Sequence, residues 1–155
     1  MFKGNKTGVI NMVFYHGSIR ELKNGLHLLA QSDGYVQSES DEALEGFEDF
    51  MESLRPEDKI SRFDAVFMAD KIEDIDNLGG YTDFIYKVEP IGEYSKHDLS
   101  WYSEASNYYL VNDEKAKECA LKYWSGEPYD KKEESVFEYM VGSAITILLL
   151  NEDLT

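Results

Sequence analysis

Apolar residues alternate with polar ones in some stretches of this chain and recur every three or four residues in others, and these two periods predict strands and helices in turn. Val9 to Tyr15 is rich in β-branched and aromatic residues and is stopped by Gly17-Ser18, which predicts a first strand delivering His16 to its C-terminal edge. From Asp41 to Leu54, Ala43, Leu44, Phe47, Phe50, Met51 and Leu54 keep helical spacing while Asp and Glu fill the opposite face. This acidic amphipathic helix is closed by Arg55-Pro56. Ala65 to Met68 and Phe84 to Val88 read as short apolar strands bounded by Asp70 and Pro90, with the flexible turn Leu78-Gly79-Gly80-Tyr81 between them. Asp113 to Trp124 forms a second helix, ended by Gly126 and Pro128. Val136 to Leu149 is the last extended segment, and its apolar run from Ala144 to Leu150 reads as a buried terminal strand.

Strands outnumber helices, and no regular βαβ alternation or dinucleotide-binding glycine fingerprint is present. The expected class is α+β with a mainly antiparallel or mixed sheet. At 155 residues, with neither a repeat nor a Pro/Gly/Ser linker, one domain over 1–155 is expected. A hydrophobic content of 43% is too high for a disordered chain.

Charge changes the picture most. With 31 acids against 15 Lys plus Arg, the net charge of -16 repels duplex nucleic acid and favours a basic protein partner. The N-terminus lacks a signal-like apolar stretch, and the longest apolar run is far short of the ~20 residues that span a bilayer, so a cytoplasmic protein without membrane association is expected. Cys119, the one cysteine, keeps helical spacing with Ala116, Ala120 and Tyr123 and reads as a buried thiol. No metal set is expected, because His16, His27 and His97 are far apart and lack ligand spacing with Cys119.

Taken alone, Phe14-Tyr15-His16-Gly17-Ser18 places an imidazole where a strand breaks, either as a donor to a ligand hydroxyl beside an exposed glycine backbone or as a capped, solvent-facing strand end. Two further segments, Ala65-Val66-Phe67-Met68-Ala69-Asp70 and Phe137-Glu138-Tyr139-Met140-Val141, decide between these. Together the three resemble the ADP-ribosyltransferase superfamily, in the branch whose signature is His, Tyr and Glu on three separate strands. Its poly(ADP-ribose) polymerase members carry His-Gly-Ser after the first strand, a strand of the type Ile-Tyr-Phe-Ala-Asp and a late Glu-Tyr-Ile-Val. A fourth segment, Phe84-Ile85-Tyr86-Lys87-Val88-Glu89-Pro90-Ile91-Gly92, is similar to the Ile-Tyr-Ile-Val-Glu-Pro-x-Gly stretch of rifampin ADP-ribosyltransferases.

The resemblance implies a split β-sheet core with flanking helices and NAD as substrate, bound beside Tyr15-His16-Gly17-Ser18. His16 would bond the adenosine ribose, and the Gly17 backbone would hold the nicotinamide amide. Phe67 would stand where the family's tyrosine packs on the nicotinamide ring, keeping the π face but not the hydroxyl. Glu138 would accept from the nicotinamide ribose and stabilise positive charge as the glycosidic bond breaks. In the rifampin-modifying branch the acid follows the Glu-Pro-x-Gly turn, which makes Asp98 a second candidate; its other reading is a turn or helix cap. Arg62 is read either as offsetting the NAD pyrophosphate or as forming a surface salt bridge to the acidic helix. Tyr81 either closes over the nicotinamide as a second aromatic wall or packs in the core.

The expected function is transfer of ADP-ribose from NAD to a macromolecular acceptor, expected to be a protein, with nicotinamide as leaving group. Two others compete: NAD hydrolysis alone, and a non-enzymatic acidic protein that masks a basic, nucleic-acid-binding surface.

Overall fold

The computed structural model describes residues 12–18, 21–29, 46–77, 83–130 and 135–150. Five strands and the helices follow one another as β1 (Phe14–Ser18), β2 (His27–Leu29), α1 (Phe47–Ser53), a single 3-10 turn (Arg62–Asp64), β3 (Val66–Met68), α2 (Asp74–Asn77), β4 (Phe84–Asp98), α3 (Leu99–Tyr108), α4 (Asp113–Ser125) and β5 (Phe137–Leu149). Every strand pair is antiparallel, so the chain is α+β with an antiparallel sheet.

The frame is the β4–β5 pair, which stays in register contact from Tyr86↔Leu149 to Asp98↔Phe137. On its other side β5 carries β3 (Phe67↔Met140) and β2 (Leu28↔Ala144), while β4 carries β1 (His16↔Tyr86). Tyr15 and Ala69 then exchange backbone hydrogen bonds of 2.8 and 2.9 Å, so the path β3–β5–β4–β1 returns to β3. Side chains alternate across this ring, as the period of two requires. One cluster is formed by Phe14, Val66, Met68, Tyr86, Tyr139 and Val141. On the other face Phe67 and Met140 meet Met51 of α1, Trp101 and Ala105 of α3, and Tyr123 and Trp124 of α4. Trp124 is fully buried, and its indole N–H donates to the Met51 carbonyl (2.8 Å), pinning α4 to α1.

Three elements depart from expectation. β1 begins at Phe14 and runs through His16, which therefore sits in mid-strand rather than at an edge; Val9 to Asn11 lie outside the described residues. β4 does not stop at Pro90 but continues to Asp98, with a register shift between Ile91 and Tyr94 around Gly92, whose φ of 93° only glycine adopts readily. Pro90 lies beyond the stretch paired with β1, in keeping with the confinement of proline to strand edges. The segment after His97 is the helix α3, which the spacing of Ser- and Asn-rich residues conceals.

Helix α4 follows the expected bounds to within one residue. Asn112 caps it by accepting from the Lys115 N–H (3.1 Å), and Gly126 ends it at φ 82°. The acidic helix is seen as Phe47–Ser53, with 41–45 outside the described residues. The terminal strand is buried only in part: Ala144 and Thr146 are enclosed, while Ile147 and Leu148 are exposed. Among the described residues no helix is long and apolar enough to cross a membrane.

Candidate functional site

The helix-covered face of the ring holds a polar cluster where a core would normally be apolar. Its centre is Arg62, placed by the short 3-10 turn that Ser61 caps by accepting from the Phe63 N–H (3.1 Å). The guanidinium is buried and serves two carboxylates. Nε donates to Glu48 Oε1 of α1 (2.9 Å), and Nη1 donates to Glu138 Oε2 of β5 (2.5 Å). Nη1 also donates to the Tyr123 hydroxyl (2.6 Å), which in turn donates to Glu138 Oε2. Tyr102 of α3 donates to Glu48 Oε2 (2.6 Å). Aromatic faces close the cluster, with the guanidinium carbon 4.9 Å from the Phe67 ring centre and 4.6 Å from that of Tyr102.

The alternation of β3 and β5 turns Phe67 and Glu138 to this same face. His16 joins through the backbone: its Nδ1 lies 2.8 Å from the Phe67 carbonyl, which only accepts, so Nδ1 carries the hydrogen. His16, Phe67 and Glu138 thus come from three successive neighbours in the strand ring and connect through Phe67 and Arg62.

Electrostatics follow from one cation facing two carboxylates in a dry interior. Burial pushes the Glu138 carboxyl up from its ordinary value, partly offset by Arg62 and the Tyr123 hydroxyl. Burial pulls on Arg62 in the opposite sense, but Glu138, Tyr123 and Glu48 hold its pKa well above the ordinary value. Glu138 is fully enclosed, and its Oε1 has no hydrogen-bond partner among the described residues. An acceptor left in this way is costly in a native core, where nearly all buried polar atoms are paired.

Several expected site residues sit elsewhere. Asp98 is fully buried, but as the cap of α3: Oδ1 accepts from the Ser100 N–H (3.0 Å), and Oδ2 accepts from the Tyr129 N–H (2.8 Å) and the Ser135 hydroxyl (2.6 Å). Both oxygens are committed to the fold, and the helix-cap reading of Asp98 is the observed one. Arg62 makes neither a surface salt bridge nor a free pyrophosphate contact; its partner is indeed the acidic helix, but the pair is buried and shared with Glu138. Gly17 and Ser18 lie in the β1–β4 ladder opposite Ile85 and Phe84, and Ser18 is fully buried. Tyr81 lies outside the described residues. A cavity of about 500 Å³ is bordered by Met12, Phe14, Lys87, Glu89 and Tyr94 and is not lined by His16, Phe67 or Glu138.

Sequence reasoning missed Tyr123, Tyr102, Glu48 and His97. Tyr123 was legible as part of the buried stripe of α4, but nothing in that stripe says that its hydroxyl meets a carboxylate. His97 supports the cluster from behind, stacked on Tyr123 with ring centres 4.8 Å apart. Its Nδ1–H donates to the Tyr123 carbonyl (2.8 Å), and its Nε2 lies 2.8 Å from the Ser95 hydroxyl, which can donate to the neutral ring.

Burial lowers the His97 pKa from 6.5 to about 4. Between those values the unfolded chain binds a proton that the folded chain refuses, so this residue's contribution is complete above pH 6.5 and is lost as pH falls toward 4. Urea midpoints across pH 7 to 4 are therefore expected to fall more steeply for the wild type than for His97→Gln, by on the order of 3 kcal/mol over the window. Parallel curves would show that His97 is not held neutral.

No family model and no curated protein matches the chain.

Proposed function

We propose that the protein binds NAD at the Phe67–Glu138 face and transfers its ADP-ribose to a macromolecular acceptor, releasing nicotinamide. The observation that carries this reading is Glu138 itself, a buried carboxylate with Oε2 held by two donors and Oε1 without a partner among the described residues, near the ring of Phe67. Such an oxygen suits a ribose hydroxyl, and the negative charge behind it suits the oxocarbenium-like state in which the nicotinamide bond breaks. The Phe67 ring supplies a flat apolar wall for the nicotinamide. His16 faces the other side of the ring, with Phe14 and Tyr86, and supports this wall only through its hydrogen bond to the Phe67 carbonyl. The residues fit in kind, but the cluster is closed by α1, which holds Arg62 through Glu48, so NAD entry requires α1 to shift while Arg62 keeps its contact with Glu138.

Saturating NAD is expected to raise the melting temperature of the full chain, since a ligand that binds only the folded state stabilises it by about 2.7 kcal/mol at a hundred times its Kd. An unchanged melting temperature at millimolar NAD contradicts the reading.

The complete enclosure of Glu138, together with the net charge of -16, favours a second reading: an acidic binding protein that covers a basic surface. It predicts salt-dependent association with basic proteins and no response to NAD.

A further inference from the structure

We propose that Tyr123 is a positioning residue for Glu138: its hydroxyl and the Arg62 guanidinium jointly occupy Oε2, fixing the carboxylate in one orientation with Oε1 turned to the substrate. This inference rests on the proposed use of Glu138 in ADP-ribosyl transfer.

Arginine and a carboxylate left to themselves favour a two-toothed pairing in which both carboxylate oxygens are taken. Here that pairing does not form. Glu48 takes the Nε side of the guanidinium, and the Tyr123 hydroxyl is wedged at Nη1, accepting from it at 2.6 Å while donating to Glu138 Oε2. The salt bridge is thereby held to one oxygen, and Oε1 stays without a partner among the described residues. Without the wedge, no other donor among the described residues holds the carboxylate back from rotating to give both oxygens to Arg62.

Tyr123 is itself immobilised. It is fully buried, its ring stacks on His97, its backbone carbonyl accepts from the same imidazole, and Met140 Sδ lies 3.7 Å from its hydroxyl. The charged and titratable groups around Glu138 are Arg62 from the 3-10 turn, Glu48 from α1, Tyr102 from α3, Tyr123 from α4 and neutral His97 from β4. Of these, only Arg62 and Tyr123 donate to it.

The test is Tyr123→Phe in the full chain, read in two ways. A ¹³C-carboxyl titration of Glu138 is expected to move to higher pH, because a donor that favours the charged form is gone. In NAD turnover, kcat is expected to fall on the order of tenfold with KM for NAD changed less than about twofold, and the acid limb of the pH profile is expected to follow the titration upward. An unmoved titration overturns the clamp, whatever the activity. A moved titration with no nicotinamide release by the wild type overturns the ADP-ribosyl-transfer reading, and the catalytic use of the clamp with it. If Tyr123→Phe does not fold, the unsubstituted protein still decides: a slowly exchanging Tyr123 hydroxyl proton coupled to the Glu138 carboxyl supports the clamp, and its absence overturns it.

Discussion

Arg62→Met is expected to lower folding stability by about 3–5 kcal/mol, the cost of removing one partner from a buried ion pair. The magnitude follows from what is left behind. Glu48 and Glu138 are each 5% exposed or less, and neither has another cation within salt-bridge distance among the described residues. Two carboxyls facing each other in a dry core must take up protons or open the structure. With Arg62 gone, the burial that already raises the Glu138 carboxyl is no longer offset by it, so the folded state binds more protons than the unfolded one and the variant loses stability as pH rises through the carboxylate range and beyond. Urea unfolding at pH 5 and pH 8 is expected to show a larger deficit at pH 8. Adding Glu138→Met to Arg62→Met is expected to recover part of the loss, since replacing a whole buried pair by apolar groups is often neutral. A deficit under about 1 kcal/mol at pH 8 would mean that the cluster is open to water.

Glu138→Gln is expected to reduce nicotinamide release by about a hundredfold or more, in line with the removal of one preorganised electrostatic group from a reacting centre. The substitution keeps the shape and an acceptor for Arg62 and Tyr123, and Arg62 retains Glu48 as its counterion. Its stability cost is therefore expected to be smaller than that of Arg62→Met, so that activity is lost in a folded protein. What disappears is the negative charge near the forming oxocarbenium ion. Asp98→Asn provides the contrast. Its Oδ2 accepts from both the Tyr129 N–H and the Ser135 hydroxyl, and an amide nitrogen there would face a donor, so stability falls by about 1–3 kcal/mol while turnover is largely kept. If Asp98→Asn were the inactive variant and Glu138→Gln the active one, the assignment would be reversed.

Much of the framework was legible because it depends on local pattern. α4 announced itself through the spacing of Ala116, Cys119, Ala120 and Tyr123 ahead of Gly126, and β3 and β5 through their apolar runs. α3 was concealed because Leu99, Trp101, Tyr102 and Ala105 are interspersed with serine and asparagine, which weakly favour helix. The passage of β4 through Pro90 depends on which neighbours flank it, a tertiary fact that no local signal carries.

The site divides in the same way. Motif order grouped His16, Phe67 and Glu138, and their strands are neighbours in the ring, but His16 turns to the face of Phe14 and Tyr86 while Phe67 and Glu138 turn to the helices. That Arg62 would be buried between Glu48 and Glu138 could not be read from spacing, since the three lie 14 and 76 residues apart and meet only after α1 packs on β5. The choice between catalytic acid and cap at Asp98 likewise turned on Tyr129 and Ser135, more than 30 residues downstream.

The most direct test of the central claim is incubation of the full chain with NAD labelled in its adenosine half, with and without a basic protein acceptor, followed by mass spectrometry of nicotinamide and of the protein fraction. The account predicts nicotinamide release that rises with the acceptor, ADP-ribose mass added to that acceptor, and loss of both in Glu138→Gln. Intact NAD after prolonged incubation with every acceptor, or release unchanged in Glu138→Gln, would contradict it.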